Sequence, residues 1–123
     1  MDAEKLFQQG KAATEMGNAK EAFENFLKAA ELGYAEAQFE VGDFYHNGYH
    51  VKHDNLKAFE WYKKAALQGN EWAQYQVGSF YNNGTGVAKD YTKAAEWFTK
   101  AAAQGNQMAA YSLNDLNLQI SKK

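Results

Sequence analysis

Residues 35–70, AEAQFEVGDFYHNGYHVKHDNLKAFEWYKKAALQGN, align without a gap on residues 71–106, EWAQYQVGSFYNNGTGVAKDYTKAAEWFTKAAAQGN, and 20 of the 36 positions are identical. Average residue usage gives about two or three identities over that length, so the period belongs to the chain and not to its composition. The frame extends beyond both copies. Upstream, Ala22, Phe26, Lys28, Ala29, Ala30 and Gly33 stand where Ala58, Tyr62, Lys64, Ala65, Ala66 and Gly69 follow; downstream, Ala109 and Tyr111 repeat Ala73 and Tyr75. About three and a half copies of one unit fill the 123 residues.

Each unit reads as two helices. In the first, Ala37, Val41 and Phe44 or Tyr45 follow the i, i+4, i+7/i+8 spacing of one helical face. In the second, Asp54 and Asp90 precede runs rich in alanine and lysine, where a carboxylate accepts backbone N–H bonds of the first turn. Its inner stripe is Ala58, Trp61, Tyr62, Ala65, repeated as Ala94, Trp97, Phe98, Ala101, and Gly69 and Gly105 sit where a left-handed residue ends a helix. The spacing predicts seven helices near 3–15, 19–32, 35–47, 55–68, 71–83, 91–104 and 107–120. Gly42, Gly78 and the alanine pairs 65/66 and 101/102 remove bulk so that neighbouring helices approach closely. One helix pair cannot bury these faces alone, so the expected architecture is an all-α, right-handed α-solenoid of helix-turn-helix repeats. A last helix with Ala109, Leu113, Leu116 and Ile120 on one side and Asn114, Asp115, Asn117 and Gln119 on the other is expected to cap it.

The composition closes off other classes. With no cysteine there is no disulfide framework and no thiolate chemistry, and with a mean hydropathy of -0.68 there is no apolar run to cross a bilayer. The N-terminus enters an amphipathic pattern without an apolar signal region, which points to a cytoplasmic location. All thirteen basic residues are lysine, so the bidentate arginine forks suited to phosphates and guanine edges are missing and nucleic acid is disfavoured as a partner. Residues 1–47 carry a net charge of -5 and residues 48–123 a net +3. Ser79, Ser112 and Ser121 lie outside any nucleophile context, and Glu60 and Glu96 recur one repeat apart as solvated helix residues do, so the chain reads as non-enzymatic and without a cofactor.

The string Gly42-x-x-Tyr45-x-x-Gly48-x-x-Val51-x-x-Asp54-x-x-Lys57-Ala58-x-x-Trp61-x-x-Lys64-Ala65-Ala66-x-x-Gly69 resembles the Sel-one-like repeat (SLR) family of the tetratricopeptide superfamily, and its second copy, from Gly78 to Gly105, has the fuller loop Gly84-x-Gly86-Val87. Residues 35–70 and 71–106 are the two matching repeats. Residues 1–34, with a loop four residues shorter and Gly17-Asn18 as the turn, are closer to an ordinary tetratricopeptide unit, and 107–123 form the capping helix of one domain. The lack of cysteine departs from the secreted, cysteine-rich branch of the family. The resemblance implies an adaptor that binds another protein or peptide in its concave groove, as a monomer or weak homodimer. Some small bacterial relatives act as immunity proteins against a cognate toxin, which is the alternative.

Positions that agree between copies are structural, and those that differ are free to serve a partner. Trp61 and Trp97 agree and are expected in the core. Trp72 replaces Glu36 and precedes Met108 in the frame. The groove positions implied by the resemblance are Glu4, Phe7, Lys11, Glu36, Phe39, Asp43, His46, Asn47, Trp72, Tyr75, Ser79, Asn82, Met108, Tyr111 and Asp115. Three histidines, His46, His50 and His53, share one loop region and have the spacing to ligate zinc or nickel, a second alternative, against the plain reading as polar loop residues. His50 stands where the sister loop has Gly86. A left-handed glycine there tolerates histidine poorly, so the first loop is expected to take another shape, with Tyr49 and His50 as a further contact.

Overall fold

A computed structural model describes residues 2–121. Seven helices follow one another: α1 (Ala3–Glu15), α2 (Ala19–Glu31), α3 (Ala35–Asn47), α4 (Asn55–Leu67), α5 (Glu71–Asn83), α6 (Tyr91–Ala103) and α7 (Gln107–Ser121). Their limits fall within a residue or so of those read from the period, because the signals that set them are local. Asp54 Oδ1 accepts from Lys57 N and Asp90 Oδ1 from Lys93 N, both at 3.0 Å. Gly69 and Gly105 take φ of +100° and +96°, the left-handed conformation that lets the chain leave α4 and α6. The prominent packing is between consecutive helices, which is the arrangement of a helical solenoid.

The glycine inside α1, α3 and α5 explains how a pair closes. A Cβ on Gly10, Gly42 or Gly78 would lie 2.6 Å from the ring of Phe26, Tyr62 or Phe98. Each aromatic therefore rests directly on backbone, and Tyr62, Phe26 and Phe98 are among the most deeply buried side chains. Asn114 holds the corresponding place in α7, so that helix has no seat for such a ring.

Units are then tied to each other by glutamines. Gln68 Nε2 donates to Gly33 O at 2.8 Å and to Gln38 Oε1 at 2.9 Å, while Gln38 Nε2 donates to Ala30 O at 3.2 Å. Gln104, Gln74, Gly69 and Ala66 reproduce the same three bonds at the same distances. The buried Gln38 and Gln74 need such partners, and in each set two of the three bonds cross to the preceding repeat.

Two core expectations need correcting. Trp97 is buried, but Trp61 is only half-buried, its ring packed at the rim of the first core cluster and faced by Lys64 Nζ at 4.5 Å. Ala109 and Leu116 of α7 are buried and Leu113 is half-buried, whereas Ile120 is 43% exposed at the edge of a shallow groove against α6.

Candidate functional site

Helical periodicity sorts each odd-numbered helix into two faces. In α3, Ala37, Gln38, Val41, Gly42 and Phe44 are buried, and Glu36, Phe39, Glu40, Asp43, His46 and Asn47 share the opposite arc. The odd helices lie side by side: His46 of α3 packs on Phe80 of α5 at 5.3 Å, and Lys11 of α1 acts electrostatically on Glu40 of α3. Their outward arcs share one side of the helix array, the side on which the resemblance to tetratricopeptide repeats puts the groove.

Along this face the half-buried rings are anchored from behind. Phe39 lies 5.6 Å from Tyr62, and Tyr75 lies 5.9 Å from Phe98. Trp72 is 49% exposed, Met108 51% and Tyr111 69%. Ser79 and Asn82 are half-buried and Asn47 is exposed, whereas Phe7, expected in the groove, is buried in the core of the first unit against Phe26 and Tyr34. His46 Nδ1 and Asn82 Oδ1, one repeat apart, are each buried without a hydrogen-bond partner.

The charged part of the face is gathered at α3. Tyr62 Oη donates to Asp43 Oδ1. Burial raises the Asp43 carboxyl above its ordinary range, opposed by the Tyr62 hydrogen bond and by His46. Burial also raises Tyr62, with Asp43 adding to it, so the hydroxyl stays protonated and donates. Glu40 is pushed up to about 7, first by burial and then by Asp43, with Lys11 opposing and Glu36 adding. Glu40 and Asp43 line a pocket of about 480 Å³ together with Thr14, Phe44, Asn47, Gly48 and Tyr49. Sequence reading missed Glu40 and Thr14 here. The signal for Glu40 was present, since Gln76 and Ser112 occupy its place in the other copies.

The loops after α3 and α5 follow one path, against the expectation that they differ. Gly48 and His50 have φ of 65° and 64°, and Gly84 and Gly86 have 70° and 67°. Tyr49 N donates to Phe44 O and Asp54 N to Tyr45 O, just as Thr85 N donates to Phe80 O and Asp90 N to Tyr81 O. Histidine is among the non-glycine residues that enter the left-handed region most readily, and its ring packs against Phe23 at 5.8 Å. Tyr49, its ring 5.2 Å from Phe44, borders the pocket, whereas His50 lies outside it.

The three histidines do not converge. His46 packs between Tyr62 and Phe80, His50 against Phe23, and His53 beside Gly48. Among the described residues no group of three His, Asp or Glu side chains is placed to hold a metal ion. The spacing that suggested zinc or nickel is spread over a helix end and a turning loop, which aim the imidazoles apart.

The sequence profile of the Sel1 repeat matches three times, at residues 3–34, 35–70 and 73–106, and so takes in most of the chain, the first unit included. This chain belongs to the Sel1 repeat family. Solved structures agree. A Sel1 repeat protein from Oxalobacter formigenes shares 39% identity with a TM-score of 0.88, over 93% of this chain and 89% of that one. The protein c5321, a protective antigen present in uropathogenic Escherichia coli strains and displaying an SLR fold, gives 36% identity and a TM-score of 0.87, with 93% of the Sel1 repeat chain matching 25% of that protein. Cysteine rich protein B of Helicobacter pylori gives 29%, a TM-score of 0.76, and coverage of 90% and 94%. No curated protein sequence matches the chain. Sel1 repeat proteins are in general scaffolds for protein–protein interaction rather than enzymes. No described helix is long and apolar enough to cross a membrane.

Proposed function

We propose that this chain is a non-enzymatic adaptor whose inner face, built from α1, α3, α5 and α7, binds a segment or protruding loop of another protein. The observation that carries the reading is the exposure of Trp72, Met108 and Tyr111 on one face of a repeat array whose core aromatics are otherwise buried. Large aromatics supply binding area at little entropic cost, and those left open on a well-packed scaffold are the usual anchors of an interface. Phe39 and Tyr75 extend the anchors, Asp43, His46, Asn47, Ser79 and Asn82 supply polar contacts between them, and Tyr49 closes the end near α3. A rigid concave surface of this kind is suited to an extended peptide.

Affinity purification from the source cells with the Trp72→Ala/Tyr75→Ala protein beside the wild type tests this. Equal helicity of the two proteins and loss of the captured partner are expected. Unchanged recovery would remove the inner face as the binding surface.

A further inference from the structure

Charge is divided between the two layers of the solenoid. The inner-layer helices α1, α3, α5 and α7 carry seven carboxylates and two lysines, and the outer-layer helices α2, α4 and α6 carry five carboxylates and seven lysines. Both inner lysines, Lys5 and Lys11, are on α1, so α3, α5 and α7 have none. Lys11 Nζ lies 5.5 Å from the Phe7 ring centroid. Its charge reaches Glu40, but neither it nor any other described group pairs with that carboxylate. Asp43 gives one oxygen to Tyr62 and keeps the other. The inner face therefore combines an aromatic stripe with a negative field that Lys11 and His46 offset only in part. A partner that brings cations relieves that repulsion, whereas an acidic partner adds to it.

Resting on the adaptor reading, we propose that the occupant of the inner face is a lysine- or arginine-rich segment of the partner protein. One cationic side chain is seated between α1 and α3 against Glu40 and Asp43, and apolar side chains next to it lie on Tyr75 and Trp72. The pocket lined by Thr14, Glu40, Asp43 and Asn47 is open and of a size for one long side chain. The aromatic positions continue the surface across α5 and α7, which favours a chain over a small ion. A seated cation also favours ionised Glu40, so binding tightens as pH rises through the range where that carboxyl titrates. The groups facing Glu40 are Asp43 and Glu36 on its own helix, Lys11 on α1 and Tyr62 on α4.

A phage library of random ten-residue peptides, panned on the full chain and counter-selected on Trp72→Ala/Tyr75→Ala, reads the proposal without a known partner. Wild-type-only binders are expected to be enriched in Lys and Arg over Asp and Glu. A synthetic copy of the leading peptide should lose about tenfold in affinity on Glu40→Gln, the cost of one lost charge-assisted contact, and should bind more weakly in high salt. Its gain in affinity from pH 6 to pH 8 should shrink in Glu40→Gln, which assigns the gain to Glu40. Wild-type-only binders that are neutral or acidic overturn the cationic partner and leave the adaptor reading standing. Failure to recover any peptide sensitive to Trp72→Ala/Tyr75→Ala overturns both. Displacement of the peptide by spermine at the peptide's own concentration overturns the protein segment in favour of a polyamine.

Discussion

The two central repeats, 35–70 and 71–106, share a core and differ on the arc of α3 and α5 that faces away from it. Gly42 and Gly78 seat a ring in the same way, the glutamine bridges are superimposable, and both loops turn through the same pair of left-handed residues. Yet Glu36, Glu40, Asp43 and His46 of one are Trp72, Gln76, Ser79 and Asn82 of the other. The difference at the ring is paired: Tyr62 has a hydroxyl and meets Asp43, whereas Phe98 has none and Ser79 stands opposite. Positions that stack the units admit little change, and those on the opposite arc vary, singly or in compensating pairs. One repeat offers charge and the next an exposed indole.

The shared part of the comparison should break hardest. Gly42→Ala or Gly78→Ala drives a methyl into an aromatic ring at 2.6 Å. The overpacking costs up to about 3 kcal/mol against about 1 kcal/mol gained in helix propensity, a net loss of roughly 2 kcal/mol that urea unfolding should read equally in both repeats.

The paired difference comes next. Tyr62→Phe leaves Asp43 half-buried without its donor and should cost about 1–2 kcal/mol, and adding Asp43→Ser, which copies the sister pair, should recover most of it. A double-mutant cycle with no coupling between the two sites would show that the pairing is accidental.

Glu40 has the uncharged Gln76 as its counterpart, and its carboxyl is pushed up to about 7 from the usual 4.5. A folded value above the unfolded one means that the native state holds the proton more tightly. The stability this gives is full below pH 4.5 and is lost as pH rises through 7. Glu40→Gln should therefore stabilise the chain at pH 8 by about 1 kcal/mol, after allowance for solvent screening of a half-exposed group, and change little at pH 4. Thermal unfolding at the two pH values checks it.

The smallest effect is expected at His50. His50→Gly relieves a left-handed histidine but gives up the contact with Phe23, for a net gain of about 0.5 kcal/mol. The reverse change, Gly86→His, should be destabilising, because a Cβ there meets Asn55 O at 2.8 Å.

Much of the fold was legible because a repeat writes each structural instruction more than once. Asp54 and Asp90 as caps, Gly69 and Gly105 as exits, and Gly42 and Gly78 as contact points all follow from local chemistry stated twice. Trp61 and Ile120 were harder, since their exposure depends on what lies beyond the helix pair and the repeat frame does not carry that. The candidate site was legible as a set of unrepeated residues, Trp72 foremost. Glu40 was hidden because a glutamate on a helix reads as solvated until its neighbours Asp43 and Glu36 and its half-burial are seen. The histidines misled for the opposite reason: closeness in sequence at the end of a helix is not closeness of side chains.

The adaptor account stands or falls on which layer touches the partner. A photo-reactive amino acid introduced at position 72 on the inner face, and in a second protein at position 60 on the outer face, settles it when the captured partner is present. Crosslinking from position 72 alone is the expected result. Crosslinking from position 60 alone would contradict the account.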